Sequence, residues 1–230
     1  MILLAFETAT EACSVAVYVD GAVHERFEIA PRRHAELALP WADLVLAEAG
    51  VSRSQLDAIA VGRGPGAFTG VRLAIAIAQG VALALDRPVL PVSTLAALAL
   101  QASGEQRIAA IDARMGEVYL ARFQQDGDDL RALGEEVVVA PADAMHPGAG
   151  PWHGIGTGFG AQDGALRERF ADVLASVDPA GLPHAGDVAR LAALAFQRGE
   201  AVAPERAEPA YLRNNVALTL AEQAALRAGR

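Results

Sequence analysis

The stretch Val61–Leu85, VGRGPGAFTGVRLAIAIAQGVALAL, decides how the chain is read. It runs as the end of a strand, a tight loop and a helix. Gly62, Gly64, Pro65, Gly66 and Gly70 punctuate the loop, and Thr69 is placed to cap a helix opening at Gly70 or Val71. From Leu73 to Leu85 the one polar side chain is Gln79. At about 100° per residue, Ala74, Ile77, Val81, Ala84 and Leu85 form one face, suited to lying on a sheet. Arg72, Ala76, Gln79, Gly80 and Leu83 form a second face that is small, flat and nearly uncharged. A helix apolar on both sides is normally buried on both. The run is shorter than the roughly 20 apolar residues of a bilayer span. Another helix of the chain, or another subunit, is therefore expected to cover the second face.

Upstream of this stretch, Ile2–Phe6 reads as a buried strand and Glu7–Ala12 as a polar turn. Ser14–Asp20 alternates as a strand, and Asp20-Gly21 signals a hairpin into Val23–Ile29. Pro31–Gly50 reads as a helix with Leu37, Trp41, Leu44 and Val45 on one face and Leu39 and Leu46 on another. Pro40 should kink it or loosen a turn, and Gly50 suits its C-terminus. Leu56–Val61 is the strand feeding the glycine loop. Downstream, Pro88–Val92 is a strand, Ser93 caps a helix over Thr94–Ala102, and Ser103–Gln106 is a linker.

The second half opens as the first did. Arg107–Asp112 is apolar and ends in an acid, a turn follows, then a strand Glu117–Phe123, a hairpin signal at Asp126-Gly127 and a strand Leu130–Ala140. From Glu7 to Asp20 is 13 residues, and from Asp112 to Asp126 is 14. This spacing predicts an internal duplication with a reduced second copy. The lobes are expected at 1–103 and 104–210, with a tail at 211–230. Within the second lobe Pro141–Trp152 and Gly154–Gly160 read as loops, Ala165–Ala171 and Gly186–Arg198 as helices, and Ala203–Arg213 as extended chain. The tail from Val216 reads as a short Ala-rich helix.

Of the 230 residues 53% are hydrophobic, which suits a globular α/β protein and excludes general disorder. The N-terminal apolar run has no basic leader and is interrupted by Glu7 and Glu11, so a strand explains it better than a signal peptide, and a cytoplasmic protein is expected. Cys13 is the single cysteine, which excludes an internal disulfide. All 19 cationic side chains are Arg. Without lysine there is no Walker-type phosphate loop and no Schiff-base chemistry. The net charge of −9 disfavours direct nucleic-acid binding, so any RNA is expected to be held by a partner.

Three patterns could carry chemistry. The glycine loop with Gly64, Gly66 and Thr69 could hold an anion at a helix N-terminus, helped by Arg63 and Arg72; the same glycines could equally serve only a sharp turn and close packing. Glu7, Thr8 and Thr10, matched by Asp112 in the second copy, could face a metal–phosphate across a two-lobed cleft, or form a capped turn and an ordinary carboxylate. The five histidines, at 24, 34, 146, 153 and 184, show neither an i,i+4 helical pair nor HExxH, so no metal site is expected.

In combination, TATEACSVAV near the N-terminus, GRGPGAFTGVRLAIAIAQGVA, PVSTLAALA, IDARMGEVY and the late EPAYLRNNVA resemble the TsaB (YeaZ) family, in order and across nearly the whole chain. The resemblance implies an actin-like ATPase (ASKHA) fold, α/β with two ribonuclease-H-like lobes, consistent with the duplication. It implies a role in making N6-threonylcarbamoyladenosine at position 37 of tRNAs reading A-starting codons. The partners it implies are TsaD, the transferase, and TsaE, a small ATPase. ATP is then used by the complex and no cofactor is intrinsic to this chain, which forms a homodimer when alone. TsaD-like proteins hold a metal with a histidine pair; the matching segment here, Val92–Leu100, has none. Actin-like ATPases typically carry Asp at the end of the first strand, where this chain has Glu7, whose extra methylene would alter magnesium–water geometry. Catalysis is not expected. The interface expected for TsaD or a second copy is Leu39, Leu46, Arg72, Ala76, Gln79, Gly80 and Leu83. Two rivals remain open: a glycopeptidase-like metallopeptidase, and an ATP-dependent kinase of the same superfold.

Overall fold

The computed structural model describes residues 1–213, so the helix expected from Val216 lies outside the described residues. Two mixed sheets have the same plan. The first runs β3(Ala22–Ile29), β2(Ala12–Val19), β1(Ile2–Glu7), β4(Ala58–Gly62), β5(Val89–Val92) from edge to edge. The second runs β8(Asp129–Ala132), β7(Glu117–Asp126), β6(Gln106–Arg114), β10(Trp152–Ile155), β11(Leu174–Asp178). In each, the first three strands form an antiparallel meander and the last two return parallel to the first. That correspondence, strand for strand, is the duplication read from the spacing of Glu7 and Asp112. A short strand β9(Val137–Val139) pairs with β7.

Helices cover the first sheet on both faces. Leu4, Phe6, Val15, Val17, Ile59 and Val61 bury one face under α1(His34–Glu48) and α2(Phe68–Leu85). Leu3, Ala5, Ala16, Ala58 and Ala60 bury the other under α5(Ala185–Gln197) and part of α3(Thr94–Leu100). The alternation along β1, with even residues to one side and odd to the other, is the period of a pleated strand. α3 also seals the second sheet through Leu95, Leu98 and Ala99 against Ala109, Ile111 and Phe123, so one short helix glues the lobes together. The far face of the second sheet buries Trp152, Phe159 and Phe170 with α4(Ala165–Arg169). Although α5 falls in the range 104–210 expected for the second lobe, its buried side packs on the first sheet.

Several local expectations are corrected. α1 begins at His34, and Pro40 lies on its solvent side within a helix that is continuous to Glu48. α2 begins at Phe68 with Ala67 at its N-cap, so Thr69 is an exposed first-turn residue rather than the cap. The cause is upstream: the Ala67 amide donates to Ala9 O at 2.7 Å and its carbonyl accepts from Val71, which starts the helix early. The long strand expected over Leu130–Ala140 breaks at Gly134 (φ +117°) into β8 and β9. There Glu136 turns inward to accept hydrogen bonds from Ser93 Oγ and, at 3.2 Å, from Arg63 Nη2. The glycine-rich Gly154–Gly160 segment begins in a strand, where the ring of Phe159 fills the space a side chain at Gly154 would need. Ser93 caps α3 as expected, accepting from the Ala96 amide at 3.0 Å.

Candidate functional site

The turn after β1 and the glycine loop after β4 lie against each other. Glu7 sits on the face of β1 that points to the N-terminus of α3, not into a cleft. It is 1% exposed: Oε1 accepts from the Ala9 amide at 2.7 Å and Oε2 from Thr94 Oγ1 at 2.8 Å. Gly62 makes room, because a Cβ there would lie 1.9 Å from Glu7 Oε2. Burial pushes the Glu7 carboxyl up to about 7, against the pull of its hydrogen bonds from Ala9, Thr94 and Thr8. Thr8 is fully buried and donates to Gly70 O at 2.7 Å. A Cβ at Gly66 would meet Ala9 O at 2.4 Å, and one at Gly70 would meet Thr8 O at 2.0 Å. Gly64 takes φ +89° and donates to Thr94 Oγ1. The glycines therefore let the loop close onto the turn, backbone on backbone.

A cavity of about 680 Å³ does lie between the lobes, lined by Thr10, His34, Gly66, Asp112, Arg114 and Tyr211 among others. Of the expected anion or nucleotide residues, Thr10 and Gly66 reach it; Glu7, Thr8, Gly64 and Thr69 do not line it. Asp112, the counterpart of Glu7, faces the cavity but is occupied by the Arg114 amide at 2.8 Å and Arg114 Nη1 at 3.0 Å. The two acids do not confront each other across a gap. Among the described residues, no group of three or more His, Cys, Asp or Glu is arranged to hold a metal ion. His34 uses Nε2 on the carbonyls of Thr10 and Ala12, and His184 uses Nδ1 on Glu25.

The second candidate is the outer side of α2. The buried side is Gly70, Val71, Ala74, Ile75, Ala78 and Ala82, a stripe rotated from the one expected, with Ala84 left outside. On the opposite side Ala76, Gly80 and Leu83 are exposed, Leu83 at 64%, and a Cβ built on Gly80 meets no atom within 4 Å. From α1 alongside, Leu39 is 51% exposed and Leu44 also faces out. Leu46 is corrected: it is 4% exposed and belongs to the core under α1. The 18 residues of α2, with mean hydropathy 1.7, have the length and composition of a bilayer span, although the apolar run read from the sequence was shorter. Here one side of the helix is pressed on the sheet, and on the other Ala76, Gly80, Leu83 and Ala84 are exposed.

Two expected interface residues turn out to be partly used within the chain. After α5 the chain returns across α2 as a strap: Val202 bridges to Val89, and Gln79 Nε2 donates to Pro204 O at 3.0 Å and Ala207 O at 3.2 Å. The strap continues through Ala210, whose amide donates to Arg63 O, and brings the Tyr211 ring to 4.9 Å from Arg72 Cζ. Arg72 also lies over the ring of Phe68, itself 59% exposed. Phe68 and Tyr211 were not singled out in the sequence, and Leu44, read on the face of Leu37 and Val45, is corrected to an exposed residue; Gln79 was the available signal for the strap, because a lone amide on an apolar helix needs a partner.

Comparison with known proteins matches this architecture closely. The family model described as "TsaD: tRNA N6-adenosine threonylcarbamoyltransferase" matches residues 22–220. The tRNA threonylcarbamoyladenosine biosynthesis protein TsaB of Escherichia coli K12 is 44% identical over 94% of this chain and 96% of its own. The chain belongs to the TsaB (YeaZ) family. The Haemophilus influenzae TsaB is 37% identical over 93% of this chain and 94% of its own. The solved structure of YeaZ from Pseudomonas aeruginosa, 47% identical, superposes with a TM-score of 0.85 over 92% of this chain and 99% of that one. The two repeated sheets are thus those of the TsaD-like, actin-type fold that the TsaB resemblance implied.

Proposed function

We propose that this TsaB-family chain is the non-catalytic scaffold subunit of the assembly that installs N6-threonylcarbamoyladenosine on tRNA, and that it binds and supports TsaD. One observation carries the reading: the exposed small-residue and apolar side of α2, with Ala76, Gly80 and Leu83, continued by Leu39 and Leu44 on α1. Soluble proteins rarely leave such a contiguous patch open without an interaction to make. Ala76 and Gly80 let a facing helix approach closely, and Leu83, Leu39, Leu44 and Phe68 supply apolar side chains worth about 1.5–3 kcal/mol each when fully buried. The face fits a helix-on-helix seam, and because TsaD shares the fold, the same face serves a homodimer in isolation and the heterodimer in the cytoplasm.

The reading of the loop supports the non-catalytic half. Its glycines are occupied by packing, Glu7 is sealed under α3, and Asp112 is neutralised by its neighbour. ATP is then handled by TsaE and the assembled complex, and tRNA is reached through TsaD, as the net charge of −9 favours. The test is co-purification with TsaD, followed by reconstituted tRNA modification, using native protein and Gly80→Arg. Loss of both with the variant is expected; retention of both would overturn the reading.

A further inference from the structure

A second cavity, of about 500 Å³, opens elsewhere on the molecule, between α5 and the β7–β8 hairpin, and shares no lining residue with the interlobe cavity. Two charged residues of opposite sign reach it although each is only 8% exposed. Arg107 is 8% exposed and forms no ion pair with any described residue; burial alone lowers its pKa. Its Nε donates to Gly104 O at 2.9 Å and its Nη1 to Ala99 O at 3.2 Å and Leu100 O at 3.0 Å, the carbonyls ending α3. Those carbonyls supply a fraction of a countercharge, and Nη2 is left without an acceptor among the described residues.

Asp187, on the first turn of α5, is likewise 8% exposed. Its Oδ1 accepts from Arg190 Nη1 at 2.8 Å, and its Oδ2 accepts from no described residue. Gln125, also lining the cavity, carries a sealed Oε1 with no donor within reach. Of these atoms Gln125 Oε1 is sealed and unpartnered, which is costly, while Arg107 Nη2 and Asp187 Oδ2 are the edges of two largely buried groups at the cavity wall that no described residue engages. Arg107 and Arg190 balance Asp128 and Asp187 around it, so the wall offers both a guanidinium edge and, beside the Arg190 pair, a second carboxylate oxygen, and a ligand bearing one charge would use only one of them. Tyr18, Leu100 and Leu194 complete an apolar wall.

We propose that this cavity binds a small zwitterion of the amino-acid class, its carboxylate held by Arg107 and its ammonium by Asp187. The site touches neither the outer side of α2 nor the interlobe cavity, so it stands or falls independently of the scaffold reading.

Isotope-labelled full-length protein titrated with glycine, β-alanine and γ-aminobutyrate, which differ in charge separation, tests this by NMR. Acetate and methylammonium at equal ionic strength are the single-charge controls. At least one amino acid should shift the Arg107 side-chain and Asp187–Arg190 resonances to saturation, with both controls at least tenfold weaker. Asp187→Asn, nearly isosteric, should weaken the amino acid at least tenfold while acetate binding is kept and changes in the unliganded spectrum stay confined to the Arg190 side chain and its immediate neighbours. Arg107→Gln, which keeps an amide donor for the α3 carbonyls, should abolish it. Absence of saturable shifts with all three amino acids, acetate binding as tightly as the amino acid, or unchanged affinity in Asp187→Asn would each overturn the proposal.

Discussion

Gly80→Arg should move stability and binding in opposite directions. In the isolated chain a Cβ at Gly80 meets nothing within 4 Å, and the backbone there is regular helix. Replacing glycine in an exposed helix interior by a good helix former stabilises by about 0.5–1 kcal/mol. For a chain of this size that is a rise in Tm of about 1–4 °C, read at protein concentrations where the chain is monomeric. In a helix-on-helix seam the same position has room for no side chain at all. The guanidinium would have to be desolvated without a partner, and Leu83 one turn away, still 64% exposed in the monomer, would lose its burial. Leu83 alone is worth about 1–2 kcal/mol on that remaining surface, and an unpaired buried charge costs several kcal/mol more. Binding to TsaD should therefore fall at least about 100-fold, measured by isothermal titration calorimetry or biolayer interferometry. A variant that is more stable and binds TsaD with native affinity would refute the reasoning, because fold damage could not be blamed.

Other consequences follow from the same geometry. Gly70→Ala places a methyl 2.0 Å from Thr8 O, so despite better helix propensity it should destabilise by about 2 kcal/mol or more in urea denaturation; a neutral result would mean the loop does not sit on the Glu7–Ala9 turn. Glu7 is held at about 7 against an ordinary 4.5 by burial, so the fold takes up a proton there. That contribution is fully present below pH 4.5 and lost as pH rises through 7, by about 3 kcal/mol in all. Glu7→Gln should flatten this slope by close to one proton, and an unchanged pH profile of unfolding would contradict it. His184, stacked on Phe27 at 4.1 Å and paired with Glu25, has its pKa raised chiefly by that hydrogen bond. Glu25 lies below its usual range because the His184, Ser14 and Gly186 hydrogen bonds outweigh burial, the largest single influence, which acts upward. The stability from the His184 side is present below the ordinary histidine pKa and fades as pH rises through the raised one. His184→Gln should remove that alkaline decline, as followed by thermal unfolding from neutral to mildly alkaline pH.

Much of this was legible because local signals agreed with tertiary ones. The acid-ended strands at Glu7 and Asp112, each followed by a hairpin signal at matching distance, announced two copies of one sheet, and the paired strand orders follow. The bare side of α2 was also visible, since Ala76, Gly80 and Leu83 share one face of the helix whichever residue starts it. The rotation of the buried stripe to Ala74, Ala78 and Ala82 was harder to see. In a helix so uniformly apolar, periodicity discriminates weakly, and the sheet selected the small residues that let the helix lie close. Leu46 was misplaced for a related reason: α1 buries a broader arc than one stripe, because it packs on both the sheet and α2. The destination of Glu7 was not legible locally, since beyond the Ala9 amide it depends on a threonine 87 residues away and the missing side chain of Gly62. Nor was the strap, whose hold on Gln79 depends on backbone carbonyls that carry no residue signature.

The most direct test of the uncovered helix uses thiol chemistry. Cys13 is the only cysteine; it is fully buried, and burial pushes its thiol up to about 11, so it gives little background. A single Ala76→Cys substitution places a reporter in the middle of the exposed side of α2. At a dilution where the chain is monomeric, the new thiol should react with a soluble disulfide reagent at nearly the rate of a free peptide cysteine, and saturating TsaD should slow it at least tenfold. A thiol already protected in the monomer, or equally reactive with TsaD bound, would contradict the account.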